Sequence, residues 1–225
     1  EYGLLLEQNR AGDVLIQVEA DVDSEYDYEL LGYITPKKMG QAYHCPVFNG
    51  LSKQTTSEQL MDLGTQLNIH GIVPMFHVVG VTPEAADVHT AFLGRKDPPV
   101  VTITNEDLAQ ARAEISAGTG KADFCILGCP HLTINQVGSI AKMLDGQQLA
   151  GQLYIFTSTS TKELALRMGY LDIIHKAGGE IVINSCVDQP CWSHLYGMSG
   201  VTESPKCAYY TKRWNMTFTV KSIPA

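Results

Sequence analysis

Asp123-Phe-Cys-Ile-Leu-Gly-Cys-Pro-His131 decides how the rest of the chain is read. The run is apolar and strand-like as far as Gly128, where the strand is expected to stop. A cysteine, a proline and a histidine follow before a helical pattern sets in near Thr133. In α/β proteins, ligand and catalytic groups gather where a strand gives way to the next helix, because the strand fixes the position while the loop stays open. Cys129 and His131 stand at such a junction, and Cys125 is expected to pack inside the strand. By local pattern alone, Cys129 is either a small buried apolar residue or a thiol with a chemical task.

Outward from this stretch the same alternation recurs. Towards the N-terminus, residues 1–22 read as an edge-like opening containing the strand Val14–Glu19. Ser24 caps a short helix to Leu31, and Gly32–Gly40, broken by Pro36, reads as a loop whose two lysines face water or an anion. Pro46–Phe48 is a short apolar segment. A helix starting at Thr55 ends at Gly71, Ile72–Val79 is a strand, and Thr82 with Pro83 starts a helix running to about Phe92. Val100–Ile103 is a strand, and Thr104 or Asn105 caps a helix to Ile115. Towards the C-terminus come a helix over Thr133–Leu144, a strand over Leu153–Phe156, one helix ending before Gly178, and the strand Ile181–Ile183 leading into Cys186. Strands alternating with helices predict an α/β fold with mainly parallel sheets. The clearest units span 72–92, 123–144 and 153–177. Residues 1–225 carry no low-complexity linker, only soft breaks near 94–99 and 118–120.

Composition narrows the function. The chain has 225 residues, 44% hydrophobic and 18% charged, with a formal net charge of −8. An acidic balance argues against nucleic-acid partners, and no apolar window is long enough to span a membrane. The chain opens on Glu1 without a signal-peptide pattern, so a mature, trimmed or partial chain is expected. Six cysteines, at 45, 125, 129, 186, 191 and 207, are scattered with no Cys-x-x-Cys. That usage suits a reducing compartment, with cytoplasm as the expected location.

Strand ends carry the unusual side chains. One presents His77 and Gly80-Val-Thr-Pro-Glu84, the next Cys129-Pro-His131, and a third Cys186 within Asn184–Trp192. A fourth loop runs from Thr202 to Tyr210. In one open sheet these ends would share an edge. Two thiolates from separate loops lack structural-zinc spacing, but suit a Lewis acid or an iron–sulfur cluster with an open position. A nucleophilic Cys129 with His131 as base is the competing chemistry.

At this point several motifs together resemble one family. His77-Val-Val-Gly-Val-Thr-Pro-Glu-Ala85, Gly128-Cys-Pro-His131, Ser185-Cys186 and Thr202-Glu-Ser-Pro-Lys-Cys-Ala-Tyr-Tyr210 look like segments of the aconitase X proteins. Tyr2-Gly3-Leu4, Asn9-Arg10 and Leu31-Gly32-Tyr33 echo them too. The likeness covers about residues 1–212. It implies the aconitase-type three-layer α/β/α fold and an iron–sulfur hydro-lyase. The expected substrate is a small hydroxy acid, cis-3-hydroxy-L-proline first and mevalonate 5-phosphate as the alternative.

Carried over by residue, the resemblance makes Cys129 and Cys186 metal ligands, and Lys206 with Ser204 a catalytic pair. His77 and Glu84 join the catalytic pocket, and Thr82, His131 and Tyr210 bind substrate. It also implies a small subunit or swivel domain as partner, and a third ligand cysteine upstream of this sequence. Neither Cys45 nor Cys207 matches that third ligand's motif, and the pattern lapses after Tyr210. A degenerate α/β domain that binds a small acid or a partner without catalysis is the non-enzymatic alternative.

Overall fold

The computed structural model describes residues 3–40, 42–116, 120 and 122–223. Residues 118 and 119 of the expected break, and Tyr2 of the family echo, lie outside them. The chain divides into two compact units between Ala111 and Arg112. Among the described residues, no helix is long and apolar enough to cross a membrane.

The first unit is built on β1 (Val14–Val18), β2 (Pro46–Asn49), β3 (His77–Val78) and β4 (Val100–Ile103), in the order β3-β2-β1-β4. All its pairings are parallel. The opening strand is therefore central and not edge-like. Val14, Ile16 and Val18 alternate into the core, and both flanks of β1 are occupied. β3 keeps only two of the residues expected of it, since Ile72 is exposed and Pro74 cannot donate to a ladder.

The helix α1 covers Glu25–Met39, much further than its sequence pattern suggests. Ser24 caps it as expected, in a reciprocal box with Asp27. Gly32 and Pro36, read as loop punctuation, lie inside the helix. A Cβ on Gly32 would sit 2.6 Å from the Leu63 carbonyl oxygen. The glycine thus lets α1 approach α2 (Ser57–Gln66) closely, and tertiary contact overrides propensity. Pro36 falls in the last turn, and the Thr35 hydroxyl donates to the Leu31 carbonyl nearby, at 2.7 Å. Lys38 pairs with Asp107 at 2.7 Å, and Lys37 lies over the Tyr33 ring.

The helix expected from Pro83 is instead the single turn α3 (Val88–Ala91), capped by Asp87. Thr82 does not cap it, because its hydroxyl turns back to Val78, accepting from the nitrogen and donating to the carbonyl. α4 runs over Asn105–Ile115, and the division between the units falls within it.

The second unit holds β5 (Phe124–Leu132), β6 (Gln152–Thr157), β7 (Gly179–Ile183), β8 (Ser199–Thr202) and β9 (Thr217–Val220). Their order is β7-β6-β5-β8-β9, again all parallel. α5 (Ile134–Leu144) packs Val137, Ile140 and Ala141 against Ile155 and Ile181. Burying side chains of this size contributes roughly 1.5–3 kcal/mol each for the larger ones. The single helix expected after β6 is two, α6 (Thr159–Arg167) and α7 (Tyr170–Ala177), parted at Gly169, which adopts a left-handed conformation. β8 and β9 carry no strong pattern of their own. Gly200 admits the Phe124 and Phe218 rings, which meet edge-on at 5.6 Å.

Candidate functional site

The strand-end residues fall into two groups, because there are two sheets and not one. His77, Thr82 and Glu84 belong to the first unit, where each engages its own neighbours. The His77 Nε2 lies 2.7 Å from the Arg10 carbonyl, and Arg10 Nε pairs with Glu84 at 2.6 Å. Cys45 packs beside them. Burial, then the charges of Asp13 and Glu84, push its thiol up to about 12.

The second unit gathers the thiols. β5 does not stop at Gly128 but continues to Leu132 through a break in register with β6 between Leu127 and Leu132. Gly128 sits in that break with φ +111°, and a Cβ there would lie 2.2 Å from the Phe156 carbonyl oxygen. No residue with a side chain fits such a position without displacing backbone. The peptide between Cys129 and Pro130 is cis.

Beyond β7, which is separated from β5 only by β6, lies Cys186, exposed at its loop. His131 Nε2 lies 2.9 Å from the Ser185 carbonyl, so the residues flanking Cys129 and Cys186 are tied to each other. The indole of Trp192 donates to the Ser185 hydroxyl. Asp188, two residues past Cys186, accepts from Trp214 Nε1 at 2.9 Å and from Arg213 Nε at 3.0 Å.

From the other side, β8 leads into α8 (Pro205–Thr211). Ser204 caps α8 by accepting from the Cys207 nitrogen, and it also hydrogen-bonds the Cys129 thiol. Burial pushes the Cys129 thiol up to about 12; the Ser204 hydrogen bond and the Lys206 ammonium oppose this, while the charges of Glu203 and Cys186 add to it. Cys207 is also driven well above the ordinary thiol range, first by burial and then by Cys129. Lys206 is half-buried, and Tyr210 is half-buried against Tyr209 further along α8.

For the cysteine-nucleophile reading, burial pushes the Cys129 thiol up, away from the thiolate, and His131 Nε2 lies against the Ser185 carbonyl. The donor set suits the iron–sulfur group in kind: soft thiol ligands from two loops, one half-buried and one exposed. Ligation itself drives deprotonation, so a high thiol pKa does not oppose it. Cys129 and Cys186 would hold the group. Among the described residues, no three His, Cys, Asp or Glu side chains cluster closely enough to hold a metal ion.

Sequence reasoning missed Glu203. Its carboxylate is buried beside the Cys129 turn, accepting from the Gly128 nitrogen at 2.5 Å and the Cys129 nitrogen at 3.3 Å. Burial raises its pKa and these hydrogen bonds oppose the rise. No local signal marked it, since the strand before it, Ser199–Thr202, reads as loop. The Asp188 contacts were missed too, since Arg213 and Trp214 lie past the point where the family pattern lapses.

Comparison with known proteins agrees with this fold. Residues 12–113 match the aconitase X second domain, and residues 122–224 match the aconitase X third domain. The chain is 34% identical over 211 residues to the phosphomevalonate dehydratase large subunit of Methanothermobacter thermautotrophicus, covering 93% of this chain and 51% of the relative. It is 32% identical over 198 residues to the cis-3-hydroxy-L-proline dehydratase of Pseudomonas aeruginosa, covering 84% and 33%. The crystal structure of holo-form aconitase X from Thermococcus kodakaraensis superposes with a TM-score of 0.86 at 29% identity, over 98% of this chain and 55% of that one. The chain thus spans about half the length of the large subunits it matches. With both domains matched in order and the fold shared, this chain belongs to the aconitase X family.

Proposed function

We propose that the chain forms part of a hydro-lyase that removes water from a small hydroxy acid. The carrying observation is the meeting of two strand-end thiols, Cys129 and Cys186, with the Ser204–Lys206 turn at one sheet edge. The two relatives described above are dehydratases, which supports the reaction class. Cys129 and Cys186 would hold an iron–sulfur cluster, which would supply Lewis-acid chemistry for a departing hydroxyl.

The chain's own residues do the rest. The Lys206 ammonium, close enough to Cys129 to bias its thiol, offers a positive charge to a carboxylate or phosphate oxygen. Ser204, buried and already aligned by its cap, presents a hydroxyl at the same point. Tyr210 and His131 border the substrate space, with His131 Nε2 occupied by Ser185. The large-subunit names of the relatives support a small subunit as the completing partner. Free thiols at all six cysteines support a reducing, cytoplasmic setting.

The test is an anaerobic dehydration assay with a family small subunit added, run on cis-3-hydroxy-L-proline and on mevalonate 5-phosphate. Turnover of either, falling by about a hundredfold in Lys206→Met, supports the reading and names the substrate. Binding of either acid without turnover supports the non-catalytic alternative.

A further inference from the structure

The parallel ladder between β5 and β8 ends at the pair Ile126 and Thr202. Beyond it the β5 backbone also leaves register with β6. The amides of Gly128 and Cys129 therefore reach a stretch with no ladder partner. A buried amide without an acceptor costs about 1–3 kcal/mol, so such groups are satisfied somewhere. Here one side chain does it. Glu203, the residue after β8, accepts from both amides through Oε1, at 2.5 and 3.3 Å. Its Oε2 accepts from the Thr202 hydroxyl at 3.3 Å, and Thr202 Oγ1 in turn accepts from the Ser204 nitrogen.

Glu203 thus touches both halves of the site. It fixes the backbone that carries Cys129, and through Thr202 it fixes the turn that carries Ser204 and Lys206. Nothing in the resemblance assigns Glu203 a role. We propose that Glu203 is the positioning residue for Cys129, a carboxylate that continues the β5–β8 ladder where backbone pairing stops and sets the thiol against the Ser204–Lys206 turn. This deepens the proposed function and rests on it for the claim that Cys129 is a ligand.

The geometry makes reach, not charge, the requirement. Glu203→Gln keeps an oxygen at full reach, and its amide can donate to Thr202 Oγ1. Glu203→Asp keeps the charge but is one methylene short. The experiment compares these two variants and Glu203→Ala with wild type by amide hydrogen exchange on the metal-free chain. A parallel arm measures iron retained after anaerobic incubation with ferrous iron and sulfide. Relative to Ile126 in the same strand, exchange at Gly128 and Cys129 is expected to speed by about tenfold or more in Glu203→Asp and Glu203→Ala, and to stay near wild type in Glu203→Gln. Iron retention is expected to follow the same order. If Glu203→Ala does not fold, the Gln and Asp variants decide alone. Protection kept in Glu203→Asp, or lost in Glu203→Gln, overturns the proposal. If wild type retains no iron while the exchange order holds, Glu203 stands as the anchor of this turn and the cluster reading falls.

Discussion

In the first unit, the motif at the end of β3 spends its polar atoms on neighbours within the unit. His77 meets the Arg10 carbonyl, Glu84 meets Arg10 Nε, and Thr82 meets its own strand. In the second unit, the motif at the end of β5 does the opposite. Its backbone is tied down by Glu203 and its histidine by Ser185, and the Cys129 thiol is left beside a second thiol, a hydroxyl and an ammonium. The two motifs are equally vivid as sequence. What separates them physically is whether the protein itself satisfies the functional groups or only the frame around them.

That contrast is broken most directly by exchanging the two histidine- and thiol-bearing ends. Cys129→Ser should lower iron retained after reconstitution by more than about tenfold, read as iron per chain. His77→Ala should leave retention near wild type and lower stability by about 1 kcal/mol, the worth of one hydrogen bond. Equal iron loss in both would erase the distinction.

Gly128→Ala sharpens the claim that the frame is rigid. With φ +111° and a carbonyl 2.2 Å from the added Cβ, it should destabilise the chain by about 3 kcal/mol or more, measured by urea unfolding. A loss below 1 kcal/mol, on the order of a simple Gly→Ala change, would show that the turn gives way easily.

The thiols offer a smaller test that needs no metal. Cys45 is buried with its pKa raised to about 12, against an ordinary 9.0. Folded chains should therefore alkylate at Cys186 and Cys191, which are exposed, long before Cys45. The sign of the linkage follows from the raised value. The neutral thiol is favoured in the folded state, so its contribution is fully present below about pH 9 and is lost as pH rises towards 12. Cys45→Ala should flatten that alkaline loss in a pH series of unfolding midpoints. The smallest effect is expected for Asp188→Asn, since its Arg213 partner is half-exposed. Stability should change by less than about 1 kcal/mol, while Cys186 alkylation quickens as its loop loosens.

Much of this was legible beforehand, and the exceptions have physical causes. Strand–helix alternation is a local pattern, so the parallel α/β class, the Ser24 cap and the strand of Cys129 could all be read. The extent of α1 could not, because Gly32 and Pro36 are helix breakers by propensity and only contact with α2 explains the glycine. The division into two sheets depends on pairing over long separations, which no window contains. β8 and β9 were hidden because Gly200 and the threonines look like loop until Phe124 and Phe218 are seen packed around them. Within the site, the thiols and the lysine were visible as motif positions. Glu203 was not, since its role comes from two unpaired amides 74 and 75 residues away.

The central claim is that Cys129 and Cys186 together hold an iron–sulfur group, and one measurement meets it head-on. The chain is reconstituted anaerobically with ferrous iron and sulfide, desalted, and its visible absorption recorded. The account predicts the broad thiolate-to-iron charge-transfer absorption of a bound cluster, abolished when both cysteines are changed to serine. A featureless spectrum from the wild-type chain, or one that the double serine variant leaves unchanged, would contradict it.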